Sequence, residues 1–87
     1  MPPPYEIVIR RSAQKEIRAV ADKQQRRRIV ARIHALGEDP RPPGAKKLSG
    51  RSAYRVRQGR YRIVYVIEDE RLIVEVVKVG YRRDVYR

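Results

Sequence analysis

A proline-rich segment near the middle of the chain, Pro40-Arg41-Pro42-Pro43-Gly44, constrains the fold more than any other sequence feature. Proline lacks a backbone N–H and has a fixed φ, so this segment is incompatible with a helix interior or a central strand. Most of the chain before it spaces its apolar residues as helices do, and the chain after it shows the alternation typical of strands. The sequence therefore divides into a mainly helical part and a strand-rich part.

The N-terminal part predicts one strand and a first helix. Tyr5-Glu6-Ile7-Val8-Ile9 is rich in residues that favour strands. Ser12 is expected to cap the helix that follows, because its hydroxyl can accept from the N–H groups of the first turn. Apolar residues then recur at helical spacing, namely Ala13, Ile17, Val20 and Ala21.

A second helix is predicted to begin after Asp22, an acidic cap with Gln25 three residues on, as in a capping box. Ile29, Ile33 and Leu36 form its apolar stripe, and Gly37 is expected to end it. The opposite face is basic and is interpreted mainly as a solvated helix surface. Its members are Lys23, Arg26, Arg27, Arg28 and Arg32.

Three strand patterns follow the prolines: 54–58, 61–67 and 72–79, with Gly80 expected to break the last. The order of elements predicts a single α+β domain over residues 1–87. In it an N-terminal strand and two antiparallel helices pack with a mainly antiparallel sheet, the helices on one face. A three-stranded C-terminal meander completes that sheet.

Gly59-Arg60 is predicted to form a two-residue hairpin turn, which sets Arg57 opposite Arg62. Strand alternation then places Arg55 on the same face as these two. Tyr54, Val56, Ile63 and Tyr65 fall on the opposite face, toward the helices. Three guanidiniums on one face favour a phosphate site, because each presents a planar fork of donors. The alternative is that Glu75, predicted on the same face, neutralises part of the cluster.

The charge balance points to a polyanionic partner. The 87 residues include 22 Lys and Arg against 10 Asp and Glu, a formal net charge of +12, and the excess is spread over both halves. The positive charges of such a domain repel one another, which favours nucleic acid or an acidic protein as partner. The alternative is that the charged residues only keep the protein surface well solvated.

Composition also excludes several classes of site. The chain has no cysteine, which excludes disulfides and Cys-ligated metals, and His34 is its one histidine. No apolar run reaches the roughly 20 residues needed to cross a bilayer, and Met1-Pro2-Pro3-Pro4 does not resemble a signal peptide. The expectation is a cytoplasmic protein without cofactor, metal or membrane.

The chain resembles the RelE/ParE superfamily of bacterial toxins from type II toxin–antitoxin systems, in particular its RelE-type branch. The resemblance rests on the order of elements and on four segments: 46–50, 54–57, 61–65 and 79–87. It implies an endoribonuclease that cleaves messenger RNA in the ribosomal A site without a metal.

By motif, the resemblance implies the catalytic residues Arg55, Arg57, Arg62, Arg82 and Tyr86. We add Lys46, Lys47 and Arg83 as expected RNA-binding residues. The pattern departs from the family in four ways. Both first-strand positions are Arg where the best-known members have Lys, Tyr81 stands where many have His, the final Arg-to-Tyr spacing is tighter, and no helix follows the last strand.

The resemblance also implies partners. A cognate acidic antitoxin is expected to cover the basic face in a toxin–antitoxin hetero-oligomer, with the ribosome, through its RNA, and messenger RNA as targets. Val66, Ile73, Val77 and Val79 are expected on the same sheet face, as antitoxin contacts or as the edge of the core. Two rival functions stay open: a ParE-type poison of DNA gyrase with the same fold, and a non-catalytic nucleic-acid-binding module.

Overall fold

The computed structural model describes residues 4–48 and 52–81. These residues form two helices and five strands, which confirms the predicted α+β class. In chain order the elements are β1 (Glu6–Ile9), α1 (Arg11–Arg18), α2 (Lys23–Ala35), β2 (Lys46–Lys47), β3 (Ala53–Gln58), β4 (Tyr61–Glu68) and β5 (Ile73–Tyr81).

The strands form one mixed sheet in the order β1-β5-β4-β3-β2. β1 pairs parallel with β5, and the other neighbours pair antiparallel, so the predicted meander is confirmed. Strand β2 is an addition to the prediction. Its two lysines pair with Arg55 and Tyr54 of β3, but two polar residues carry no alternation that would reveal a strand.

Helix α1 begins one residue before the predicted cap, so the assignment of Ser12 is wrong. Arg10 occupies the cap position, and its side chain makes no capping hydrogen bond within the described structure. The N–H of Arg10 donates to Val76 O (2.9 Å) as a strand residue, while its carbonyl accepts from Gln14 N (2.9 Å) as a helix residue. Strand β1 thus runs directly into the helix and leaves Ser12 inside the first turn.

Helix α2 is capped as predicted, by Asp22. The Asp22 carboxylate accepts from the N–H groups of Gln24 (2.8 Å) and Gln25 (3.4 Å). The capping box is not completed, because the buried Oε1 of Gln25 has no hydrogen-bond partner in the described structure. The helix ends at Ala35, before Gly37.

The core lies between the helices and one face of the sheet. It combines Ile29 and Ile33 of α2 with Val56, Ile63 and Tyr65 of the meander, all fully buried. The hydroxyl of Tyr65 donates to the carbonyl of Pro40 at 2.7 Å, which ties the proline-rich segment to the sheet. Neither helix in the described part of the chain is long and apolar enough to span a bilayer.

A bulge changes the register of β5. Val64 pairs with Lys78 but Tyr65 pairs with Val76, so Val77 is the extra residue. Val79 is therefore turned to the core, where it is buried, and its predicted place on the basic face is wrong. Gly80 pairs with Arg62 inside β5 and does not break the strand.

Candidate nucleic-acid interface

The hairpin of β3 and β4 has the predicted register. Arg57 pairs with Arg62 and Arg55 with Val64, and Gly59 takes a left-handed φ of +61° in the turn. Residues directly opposite on antiparallel strands share a face, as do alternate residues of one strand. Arg55, Arg57 and Arg62 therefore lie on the sheet face away from the helices, which we call the arginine face.

The three guanidiniums differ in their exposure to solvent. Arg57 is exposed and Arg62 is half-buried, whereas Arg55 is only 7% exposed. A charge held close to protein atoms acts through a lower effective dielectric than one in open water. Arg57 and Arg62 can thus contact a ligand directly, and Arg55 strengthens the positive potential from a buried position.

Glu75 does not lie among these arginines. It is on the arginine face, opposite Val66, and its Oε2 is 3.4 Å from Nε of Arg10. Val66 lies four residues along β4 from Arg62, a rise of about 13 Å. Glu75 thus pairs with Arg10 at the β1 edge of the sheet. The alternative that Glu75 neutralises the cluster of Arg55, Arg57 and Arg62 is therefore not supported.

The position beside Arg62 on β5 carries no side chain. Gly80 is the residue directly opposite Arg62 in the β4–β5 pair. A larger residue there would stand on the arginine face, next to the guanidinium. Glycine at this position therefore places no side chain beside Arg62.

The two candidate RNA-binding lysines of β2 are separated by the sheet. Both are exposed, and Lys46 pairs with Arg55 while Lys47 pairs with Tyr54. Lys46 therefore lies on the arginine face, and Lys47 lies on the helix side. The predicted residues Arg82, Arg83 and Tyr86 fall outside the described residues.

Tyr81 does not belong to the arginine face. It pairs with Tyr61, on the helix side of the sheet, and the two rings stack with their centroids 4.8 Å apart. A hydrogen bond with Tyr81, together with burial, raises the pKa of Tyr61. Tyr81, at a position where the resemblance implies histidine in many relatives, thus makes a contact inside this chain.

One part of the basic surface differs from the expectation. Arg32, expected on the solvated face of α2, lines a cavity of about 360 Å³ together with Gly44, Lys46, Arg55 and Arg57. No sequence signal could have indicated this, because Arg32 and Arg55 are far apart in the chain and meet only through the packing of α2 at the edge of the sheet.

Sequence comparison finds a matching protein family and a similar protein. The family described as "ParE toxin of type II toxin-antitoxin system, parDE" matches residues 7–86. A protein of Escherichia coli described as a putative RelE-like toxin is 33% identical over 86 residues, covering 94% of this chain and 90% of that protein.

Solved structures with a similar fold include toxins in complex with antitoxins. The chain matched in the intact E. coli RelBE toxin–antitoxin complex is 28% identical with a TM-score of 0.76, over 88% of this chain and 95% of that one. The archaeal RelE–RelB complex of Pyrococcus horikoshii OT3 gives a TM-score of 0.79 at 22% identity, over 94% and 99% of the two chains. At that identity the second likeness concerns the fold alone.

Proposed function

Since this chain belongs to the ParE toxin family of type II toxin–antitoxin systems, we propose that it is a RelE-type endoribonuclease that cuts messenger RNA on the ribosome. The observation that carries this proposal is the arginine face, on which Arg57 and Arg62 lie directly opposite each other beside Gly80. Two guanidinium forks at this spacing can hold one phosphate between adjacent strands.

RNA carries its own nucleophile, the 2′-OH. Its proton passes to a base while its oxygen bonds to phosphorus and the P–O5′ bond breaks. The leaving 5′-oxygen takes up a proton from solvent, and the products are a 2′,3′-cyclic phosphate and a 5′-hydroxyl. Charge develops on the phosphate oxygens, and fixed cations aimed at that charge stabilise the transition state. We assign this role to Arg57 and Arg62, with Arg55 adding to the potential.

Arginine is a poor proton carrier, because it keeps its charge at any physiological pH. Arg57 is therefore proposed to contribute its positive charge and not to transfer a proton. This differs from the relatives that have lysine at this position, because lysine can lose its proton. The base that we propose is Tyr86, whose phenol would need nearby guanidiniums to lower its pKa. Arg82 is proposed to stabilise the leaving oxygen. So weak an acid–base set requires precise alignment of the RNA, and we propose that the ribosome supplies it.

We further propose that an acidic antitoxin, as partner in a hetero-oligomer, covers the arginine face in the cytoplasm. That face carries apolar residues beside its cations: Val66 and Ile73 are partly buried, and Val8 is 38% exposed. A partner with acidic and apolar side chains would match both features. The E. coli toxin–antitoxin complex, whose matched chain is 28% identical, supports an antitoxin as the partner.

The test is induction of the protein in a bacterial host, followed by mapping of RNA 5′ ends. The expected result is new ends inside the codons of translated messages, absent when translation is blocked before induction. An Arg62→Ala variant is the control for cleavage by host nucleases. Growth arrest with intact messages would contradict the proposal.

The second candidate is a ParE-type poison of DNA gyrase, which the description of the matching family favours. It predicts double-strand breaks that depend on gyrase, with messages left intact. Binding to translating ribosomes without any cleavage would instead indicate the non-catalytic nucleic-acid-binding module.

A further inference from the structure

A basic cavity lies at the rim of the sheet, where α2 meets the β2–β3 edge. Its volume is about 360 Å³, and its lining includes Arg32, Lys46, Arg55 and Arg57. None of the described residues that line it is acidic. Four cations around one cavity, with no carboxylate among its described lining residues, make an environment suited to an anion.

Arg32 supplies the clearest sign of an anion site. Its Nε is buried and has no hydrogen-bond partner in the part of the chain that the structure describes. Buried polar groups in proteins almost always have a partner, and an orphaned donor calls for an explanation. An anion in the adjoining cavity would accept from this N–H.

Arg55 supplies a second, largely buried cation. It is only 7% exposed, and its side chain makes no hydrogen bond or ion pair with another of the described residues. A charged side chain is expensive to bury unless it is paired. An anion held between Arg32 and Arg55 would compensate both.

The shape of the edge leaves the cavity open to a ligand. Strand β2 pairs with β3 only at Tyr54 and Arg55, so within the described structure no strand covers β3 at Arg57. The neighbouring loop residue Gly44 has a φ of +91°, and a Cβ there would meet nothing within 4 Å. The cavity is thus accessible from the side of the arginine face.

We propose that this cavity binds a backbone phosphate of the RNA next to the scissile phosphate, an inference that rests on the proposed function. Arg57 belongs both to the arginine face and to the cavity lining, so a strand lying on the face reaches the cavity with a neighbouring phosphate. A phosphate diester offers several acceptor oxygens to the guanidinium forks of Arg32 and Arg55. The cavity thereby fixes the position of the RNA along the sheet.

The experiment measures binding of a fluorescent 2′-O-methyl RNA oligonucleotide, which cannot be cleaved, at a series of salt concentrations. We expect Arg32→Gln to bind about tenfold more weakly, as loss of a charge-assisted hydrogen bond implies. The slope of log affinity against log salt should fall by about 0.7, the value for one lost phosphate contact on a single strand.

The matched control is Arg27→Gln, the same charge change at an exposed position of the same helix outside the cavity lining. It should bind like the parent protein. Should Arg32→Gln fail to fold by circular dichroism, Arg32→Lys serves in its place. Lysine keeps the charge but lacks Nε, so the affinity should fall while the salt slope stays near that of the parent.

Equal affinity and slope for the Arg32 and Arg27 variants would overturn the proposal. So would an Arg32 variant that binds RNA normally but binds the cognate antitoxin weakly, because the cavity would then take a carboxylate. The nuclease proposal is judged separately. A parent protein that binds RNA through Arg32 yet cuts no messages would contradict the nuclease and leave the phosphate site standing.

Discussion

Arg57 of β3 and Arg62 of β4 form a directly opposed pair of like charges in the hairpin. Such pairs are unfavourable on a sheet, by an amount comparable with the roughly 0.2–1 kcal/mol of a good cross-strand pair. Their opposition is imposed by the two-residue turn at Gly59 and by the apolar residues behind it. The hairpin thus holds two positive charges close together although they repel each other. Such an arrangement is typical of a site that binds an anion.

Removal of either guanidinium should abolish activity. We expect Arg57→Ala and Arg62→Ala to lower messenger cleavage by about 10²-fold or more, since each removes a preorganised charge at the transition state. Growth arrest and primer extension after induction measure the effect. Arg60→Ala, the same change in the exposed turn between them, is the control and should stay toxic. Full toxicity of the Arg62 variant would remove the arginine face from the mechanism.

The Tyr86 phenol is the proposed base. Tyr86→Phe should lower the cleavage rate by about 10²-fold to 10⁴-fold, the range of general acid–base catalysis, with RNA binding unchanged. Cleavage of a programmed ribosome complex measures the rate. The charge of this variant is that of the parent, so a normal rate would exclude Tyr86 as the base.

The turn that holds the arginines in register depends on Gly59. Its φ is +61°, and a Cβ there would lie 2.9 Å from Oε1 of Gln25. Gly59→Ala should destabilise the protein by about 1–2 kcal/mol, the cost of a left-handed conformation for a residue with a side chain. Urea unfolding measures this, and Gly59→Asn should cost less because asparagine tolerates the conformation. Equal stabilities for the Ala and Asn variants would contradict the backbone explanation.

The buried hydroxyl of Tyr65 holds the proline-rich segment through its 2.7 Å bond to the Pro40 carbonyl. Tyr65→Phe leaves that carbonyl without its donor and should lower the free energy of unfolding by about 1–3 kcal/mol. Tyr54→Phe is a suitable comparison, because its oxygen accepts a more exposed bond from Arg41 Nε (3.1 Å) and should matter less. If Tyr54→Phe lowers the free energy of unfolding more than Tyr65→Phe does, the buried hydrogen bond to Pro40 is not the main contact that stabilises this segment.

An exposed polar network joins the N-terminal strand to the meander through Asp69. Its Oδ2 lies 2.8 Å from Nη2 of Arg41, and its Oδ1 accepts from the hydroxyl of Tyr5 at 2.6 Å. The hydrogen bonds from Arg41 and then from Tyr5 lower the pKa of Asp69 to about 2. The ionised carboxylate is thus favoured in the folded protein over the unfolded chain.

This network predicts an acid-dependent loss of stability. A group with a depressed pKa stabilises the fold above its unfolded pKa, and the contribution disappears as the pH falls through the folded value. Above about pH 4 the free energy of unfolding, measured with urea, should therefore be larger for the parent than for Asp69→Asn. The two values should converge as the pH falls toward 2. Glu70→Gln, an exposed neighbour, is the control. A constant difference between parent and Asp69→Asn down to pH 2 would contradict the role of the carboxylate.

The hairpin and its charges could be predicted because their determinants are local. Alternation of Tyr54 to Gln58 and a glycine at the turn specify which residues oppose one another, so Arg57 and Arg62 were placed correctly. The Asp22 cap was found for the same reason, since a cap bonds within its own first turn. The separation of Lys46 from Lys47 was out of reach, because it depends on the pairing of β2 with β3.

Three features could be predicted from local sequence alone: the class of fold, the hairpin register and the common face of Arg55, Arg57 and Arg62. They could be predicted because short-range sterics and side-chain periodicity act along neighbouring residues. Three others depend on how distant segments pack: the bulge that turns Val79 into the core, the burial of Arg55 and the position of Arg32 beside β3. These features arise where distant segments must fit together without voids, and the free energy of that fit belongs to no single stretch of chain.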